Sequence, residues 1–406
     1  MAEGEASMEA SLSTRDAALA RKPSVAVTEP VQEREGPVKD SVTKLDRLFW
    51  LFGKITRASR VKTEGATDKD RMERSRLTRT NRAELLTRLQ STPTSDREGR
   101  RKIFEEARSW DTLANDFLRQ GEVRVSFADL GDQVARFNVL EPPPGREPPL
   151  PADGSPAREL PPIVLIPGIS NDLDCISTMA ESLAFRGRRV ISIAYPESFM
   201  GTVTDKFADT VTAKKDFSTH AQFFQAAVDA LTADSPDIEL WGLSTGGPIV
   251  AEMLSDPIAR EKVSNAVLVS PIGCVDQTPT AMKLGIVRET LGMLKRFGSI
   301  LPRGVWSSGR KTNEDSHQLE LRNKIMEAHN DAIRQTTPCW QTMAVREGGN
   351  ITMISGGQDE ITKSYQAVDR LSAHPQLRAA ILPNENHTSS FNSMDVLDKV
   401  DELQRS

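Results

Sequence analysis

Cysteine is scarce and scattered. Cys175, Cys274 and Cys339 are the three that occur in 406 residues, a number and spacing that exclude a disulfide framework and a clustered-thiolate metal site. Reduced thiols are expected, and with them a cytoplasmic setting. Basic residues are not in excess: 52 Lys and Arg stand against 57 Asp and Glu, for a net charge of -5. Such a chain has no footprint for a phosphate backbone, which excludes nucleic acid as a partner. Long apolar runs are missing too. The most apolar early stretch, Leu48 to Phe52, stops at Gly53 and Lys54, far short of the ~20 residues of a membrane helix, so no transmembrane segment is expected. Met1 to Asp16 has neither the basic start nor the apolar centre of a signal peptide, and secretion is not indicated. Aromatic residues are few, at 5 %, beside 38 % hydrophobic and 27 % charged. That balance points to a globular part diluted by a polar, poorly packing segment.

The polar segment is the start of the chain. Residues 1–44 are interrupted by Pro23, Pro30 and Pro37 and carry too few large apolar side chains to offset the entropy of ordering, so disorder is expected there. Residues 45–120 read as a helical extension. Within it, Leu45, Leu48, Phe49, Phe52 and Ile55 form one face of a helix over 45–61 flanked by Lys54, Arg57 and Arg60. Packing on the main domain is the plain reading of that face, and docking to a membrane surface or a partner is the alternative. A basic stretch over 71–82 reads as a solvated linker face, and helices are expected over 81–89 and 97–120, the second stopped by Gly121.

From Gly121 the hydrophobic period changes to two. Val123, Val125 and Phe127, a turn at Gly131-Asp132, then Ala135, Phe137 and Val139 spell a β-hairpin. After a proline-rich loop over 141–162 come short apolar runs at 163–166, 190–194, 238–242, 266–270, 351–355 and 379–382, separated by stretches long enough for helices such as 172–186, 218–233 and 248–254. Runs of this kind suit strands buried on both faces of a parallel sheet. The interval 274–349 is too long for one crossover and holds helical segments near 281–297 and 316–336, so it reads as a helical cap inserted between two parts of one core, 121–273 and 350–406.

One short segment carries the chemistry. In Asp237-Ile-Glu-Leu-Trp-Gly-Leu-Ser-Thr-Gly-Gly-Pro-Ile-Val250 an apolar strand runs into Gly-x-Ser-x-Gly and then a helix opened by Pro248. A strand-to-helix turn tight enough to expose the Ser244 hydroxyl needs glycines where side chains would clash. A serine hydroxyl needs a base to take its proton and a carboxylate to hold that base in the useful tautomer. His387, in a loop after the last strand, is the candidate base. Asp359, just past the end of the 351–355 strand, is the candidate acid, with Glu360 and Asp276 as alternatives. The other histidines have structural readings: His220 near a helix start, His317 and His329 in the cap, His374 before Pro375. Two backbone N–H groups, those of Ile169 and Thr245, are the candidates to meet a developing oxyanion.

These residues together resemble the α/β-hydrolase superfamily, in its serine-nucleophile, capped branch, from about Gly121 to the C-terminus. The resemblance implies an α/β fold with a mostly parallel eight-stranded sheet flanked by helices, a helical cap after strand six, and hydrolysis of esters, amides or thioesters without a cofactor. It implies a small-molecule acyl substrate and an acyl-enzyme formed on Ser244. Pro167-Gly168 stands where members often carry His-Gly, so hydrogen bonding by that histidine is absent. Ala194-Tyr-Pro-Glu-Ser-Phe-Met200 replaces the Asp-x-x-Gly-x-Gly-x-Ser segment many members carry, and residues 1–120 have no counterpart. An acyltransferase of the same fold and a non-catalytic binding scaffold are the competing expectations.

Overall fold

Short runs of aliphatic, largely β-branched residues build the sheet. The computed structural model describes residues 23–28, 118–142, 160–168, 173–198, 201–275, 284–285, 288, 316–333, 339–387, 389–391 and 393–405. Among them the strands are β1 (Ser24–Thr28), β2 (Leu118–Phe127), β3 (Gly131–Leu140), β4 (Ile163–Ile166), β5 (Val190–Ile193), β6 (Ile238–Leu243), β7 (Val263–Val269), β8 (Ile351–Gly356) and β9 (Leu377–Leu382). They form one sheet in the order β1-β2-β3-β5-β4-β6-β7-β8-β9. The pairings from β5 through β9 are parallel, and those from β1 to β5 along the other edge are antiparallel.

Side chains alternate across the sheet, as strand geometry requires. In β4, Ile163 and Leu165 enter one apolar cluster and Val164 and Ile166 the other. In β6, Ile238 and Leu240 face the second cluster while Trp241 and Leu243 face the first. Each such side chain removed from water contributes about 1.5–3 kcal/mol. Helix α1 (Leu173–Phe185) covers the first face through Ile176, Met179 and Leu183. The opposite face takes α2 (Asp205–Lys214), α3 (Ser218–Leu231) and α4 (Gly246–Ser255), followed along the chain by the short α5 (Pro257–Glu261). Buried Glu239 is held by Arg188 at 3.1 Å, Trp241 Nε1 at 2.6 Å and Gln404 at 3.0 Å.

The interval 274–349 contributes α6 (Ser316–Ala332) and α7 (Cys339–Thr342) among the described residues; the expected 281–297 helix lies almost wholly outside them. Helix α6 is fastened to the segment after β5. Gln318 bonds both main-chain groups of Val203 at 3.0 Å, Arg322 donates to the Glu197 carbonyl, and Lys324 pairs with Asp209. Helix α7 is tied to α4 by Thr342 and Ser255, whose hydroxyls lie 2.8 Å apart. Beyond it, α8 (Ser364–Leu371) packs on the same face as α4, and α9 (Met394–Arg405) closes the α1 face with Val396, Leu397 and Val400.

Three expectations change. Ser24–Thr28 lies in the tail expected to be disordered, yet forms edge strand β1, antiparallel to β2 with Val25 opposite Val125 and Val27 opposite Val123. It is one of nine strands among the described residues. The exposed backbone groups of β2 supply its partners, and Gly121 makes room: a Cβ there would sit 2.6 Å from the Thr28 carbonyl oxygen and 2.5 Å from the Phe137 ring. Residues 118–120 belong to β2, not to a helix ending at Gly121; residues 97–117 lie outside the described residues, as do 45–61 and 71–82. The hairpin is present, but its turn is at Ala128 to Leu130, with Phe127 paired to Gly131 and Gly131 in the left-handed region at φ 76°. Among the described residues no helix is long and apolar enough to cross a membrane. Cys274 and Cys339 are buried, and neither is in a disulfide.

Candidate active site

In a parallel sheet every strand delivers its carboxyl end to the same edge. Here β6 delivers Ser244, β8 leads to Asp359, and β9 leads to His387. Ser244 sits between β6 and α4 with φ 53°, a left-handed conformation that costs a non-glycine residue about 1–3 kcal/mol. The surroundings hold it there. Its N–H donates to Val269 O at 3.0 Å, and its carbonyl accepts from Gly247 N at 3.0 Å and Ile272 N at 3.2 Å. The glycines of the motif allow the crossing of chains that this requires: a Cβ on Gly242 would lie 2.5 Å from Gly246 O, and one on Gly246 would lie 2.3 Å from Ile166 O.

Ser244, His387 and Asp359 form one hydrogen-bonded chain. His387 Nε2 lies 2.9 Å from Ser244 Oγ, and His387 Nδ1 lies 2.9 Å from Asp359 Oδ2. The three residues are 9 %, 6 % and 7 % exposed. Asp359 accepts three further bonds, from the Ile361 and Thr362 N–H groups at 2.8 Å each and from the Thr362 hydroxyl at 2.6 Å. Burial pushes its carboxyl up, but the electrostatic influence of His387 and the bonds from His387 and Thr362 together outweigh it and hold the carboxyl below its usual range. Phe391 packs edge-on against the His387 ring, with centroids 5.1 Å apart, and restricts its rotation. Glu360, the alternative acid, is instead a surface residue that pairs with Arg288 at 3.4 Å. Asp276, the other alternative, lies outside the described residues.

The sequence over residues 161–392 matches the family model described as alpha/beta hydrolase fold. The chain belongs to the α/β-hydrolase fold family. No curated protein matches it. Among solved structures this α/β-hydrolase chain is similar to the carboxylesterase CesB of Bacillus subtilis at 15 % identity, covering 68 % of this chain and 89 % of that one with a TM-score of 0.42. It is also similar to a thermophilic esterase of Thermogutta terrifontis at 14 % identity, covering 70 % and 99 % with a TM-score of 0.42. An esterase of Exiguobacterium antarcticum is similar at 16 % identity, covering 68 % and 96 % with a TM-score of 0.40.

Of the two oxyanion positions read from the sequence, Thr245 is fully buried and caps the amino end of α4 directly after Ser244, while Ile169 lies outside the described residues. Thr362 is a site residue the sequence reading missed. Its signal was local, since an aspartate bonding the main chain two and three residues on is a recurrent turn arrangement.

The other histidines take up structural places on this hydrolase fold. His374 Nε2 bonds Met343 O at 2.8 Å and His317 pairs with Asp205 at 3.1 Å. His220 and His329 are instead members of a buried group with Glu197. Its ligand-type atoms lie within 4.8 Å of one another, so these are the side chains among the described residues with the donor set and proximity to hold a metal ion. Their geometry is that of a linear chain. Glu197 faces His220 Nε2 at 3.1 Å, and His220 Nδ1 faces His329 Nε2 at 3.3 Å. Burial, with the neighbouring His220 adding, pushes the His329 pKa far down, so that ring is neutral.

Proposed function

We propose that the protein is a serine hydrolase that cleaves a carboxylic ester, thioester or amide of a small-molecule substrate through an acyl-enzyme. The observation that carries this reading is the unbroken chain from Ser244 Oγ through His387 to Asp359, with 2.9 Å at both links and Ser244 held at a positive φ. Asp359 accepts the Nδ1–H of His387, which leaves Nε2 as the lone-pair face toward Ser244. As Ser244 Oγ attacks the substrate carbonyl carbon, its proton passes to His387 Nε2. The tetrahedral oxyanion is met by main-chain N–H groups, that of Thr245 among them. Collapse expels the leaving group, which takes the proton from His387. Water then enters, gives a proton to the same nitrogen and attacks the acyl carbon; collapse breaks the bond to Ser244 Oγ, which takes the proton back from His387 as the acid product leaves. His387 becomes cationic in both steps, and the ionised Asp359 beside it favours that form.

A fluorophosphonate probe tests the assignment directly. It should label the wild-type chain at Ser244 and leave Ser244→Ala unlabelled, and turnover of an ester panel should vanish in His387→Ala. Equal labelling of wild type and Ser244→Ala refutes the reading. Product analysis with an added alcohol or amine acceptor separates hydrolysis from acyl transfer: water outcompetes the acceptor if the protein is a hydrolase.

A further inference from the structure

Three side chains outside the Ser244 site meet inside the protein. Glu197 follows β5, His220 stands in the first turn of α3, and His329 lies near the end of α6; they are 5 %, 0 % and 1 % exposed. Glu197 and His220 are 23 residues apart along the chain, and His220 and His329 are 109 apart. The fold thus gathers a carboxylate and two imidazoles from three separate elements into one buried spot.

A hydrogen-bonded chain leaves this group incomplete. Both oxygens of the Glu197 carboxylate face a single nitrogen, His220 Nε2, at 3.1 and 3.2 Å, and among the described residues that carboxylate has no other partner. Arg322 of α6 donates to the Glu197 main-chain carbonyl. Buried carboxylates are matched by a cation or coordinate a metal ion. The other end of the chain is unspent as well. His220 Nδ1 and His329 Nε2 lie 3.3 Å apart and share one proton, and His329 Nδ1 has no hydrogen-bond partner. Buried polar atoms without a protein partner commonly hold water or an ion.

The donor set is one that zinc-class ions take. Two imidazoles and a carboxylate suit Zn2+ and its neighbours, whereas Mg2+ and Ca2+ call for oxygen. Tetrahedral bonds of about 2.0–2.2 Å put neighbouring ligand atoms about 3.3–3.5 Å apart. The two contacts on His220 are 3.1 and 3.3 Å, and with one ligand atom taken from each residue all three lie within 4.8 Å. An aromatic wall surrounds them: Phe207 meets His220 edge-on at 5.3 Å, Tyr195 lies 5.7 Å from His220, and Phe217 lies 5.4 Å from His329. Such a shell limits the water that competes for the ligands.

We propose that Glu197, His220 and His329 form a structural site for one divalent ion of the zinc class, each giving one ligand atom. A ring offers one nitrogen to an ion, so the ion takes the place of one of the two contacts on His220, and side-chain rotation closes the longest separation. The ion clasps α6 to α3 and to the segment after β5. Joining residues so far apart along the chain is where a clasp of this kind stabilises most. The proposal does not rest on the hydrolase reading, because binding is measured without turnover.

The test uses the full, untagged chain, stripped with a chelator, dialysed, and titrated with Zn2+ against a chromogenic competitor. Wild type should bind one equivalent. Glu197→Gln and His329→Ala should each weaken affinity by more than about a hundredfold, beyond the roughly 10–100-fold of an outer-shell partner. Zn2+ should raise the melting temperature of wild type and of neither variant. His317→Ala, which removes a half-exposed histidine at the start of the same helix, should bind as wild type does. If neither ligand variant folds, X-ray absorption of the wild-type zinc form carries the test and must show two imidazole ligands; fewer overturns the proposal. Absence of binding after dialysis overturns it and leaves the three residues a hydrogen-bonded chain. Binding that a folded ligand variant keeps, or that is lost in His387→Ala, places the ion elsewhere and overturns it too.

Discussion

Replacing Asp359 by asparagine tests the proposed mechanism with the least change in shape. In the native site Asp359 Oδ1 accepts two main-chain N–H groups at 2.8 Å each, while Oδ2 faces the Thr362 hydroxyl at 2.6 Å and His387 Nδ1 at 2.9 Å. An asparagine has one acceptor oxygen, and the two main-chain donors claim it. Its NH2 group must then take the Oδ2 position and donate to His387 Nδ1. A neutral imidazole that accepts at Nδ1 carries its proton on Nε2, pointing at Ser244 Oγ, and cannot take the serine proton. The expected loss in kcat is about 10⁴-fold, the scale seen for this change in a serine protease triad, or roughly 5 kcal/mol at about 1.36 kcal/mol per factor of ten. KM and the far-ultraviolet spectrum should be nearly unchanged, because packing and main-chain bonds survive. The assay is steady-state turnover of an activated ester per folded protein. A variant that keeps kcat within about tenfold of wild type would refute the tautomer argument.

Thr362→Val removes the 2.6 Å bond to Oδ2 but keeps both main-chain bonds. A bond to a charged group is worth about 1.5–3 kcal/mol, so turnover should drop about tenfold and the Asp359 carboxyl should titrate higher by NMR. Gly246→Ala drives a Cβ to 2.3 Å from Ile166 O and 2.8 Å from Pro167 O. Activity should fall more than about a hundredfold with a measurable loss of melting temperature; an active, fully stable alanine variant would contradict the packing described. Because the native Asp359 carboxyl is held below its usual value, the stability it contributes is complete above the unfolded value of about 3.9 and disappears as pH falls through the lower native value. Denaturant titrations below pH 5 should show that slope in wild type and a shallower one in Asp359→Asn.

Much of the site could be read locally because its parts are local. Ser244 stands out where a buried strand, two glycines and a helix-opening proline meet within a few residues. Asp359 and His387 follow strands recognisable by their aliphatic runs. Helices α2, α8 and α9 escaped the reading because their apolar positions are sparse among polar residues: α2 buries only Phe207, Ala208 and Val211. Strand β1 escaped for another reason. Ser24-Val-Ala-Val-Thr28 has the alternation of a strand but too little apolar surface to order itself, and its partner Leu118–Phe127 is some ninety residues on. Which edge pairs with which segment is a property of the assembled sheet.

The amino-acid sequence alone determined the fold class and marked Ser244, Asp359 and His387, in that order after strand ends, as candidates, since hydrophobic period and tight-turn chemistry act over a few neighbours. Only the tertiary structure puts Asp359, and not the exposed Glu360, against His387, because burial and donor count depend on what packs around each carboxylate. It alone joined Glu197 to His220 and His329, and Tyr195 to Pro167, which are 28 residues apart along the chain. Those bonds are made by side chains whose own neighbours carry no trace of their partners, and a hydrogen bond between distant residues exists only once the sheet has brought its strand ends to one edge.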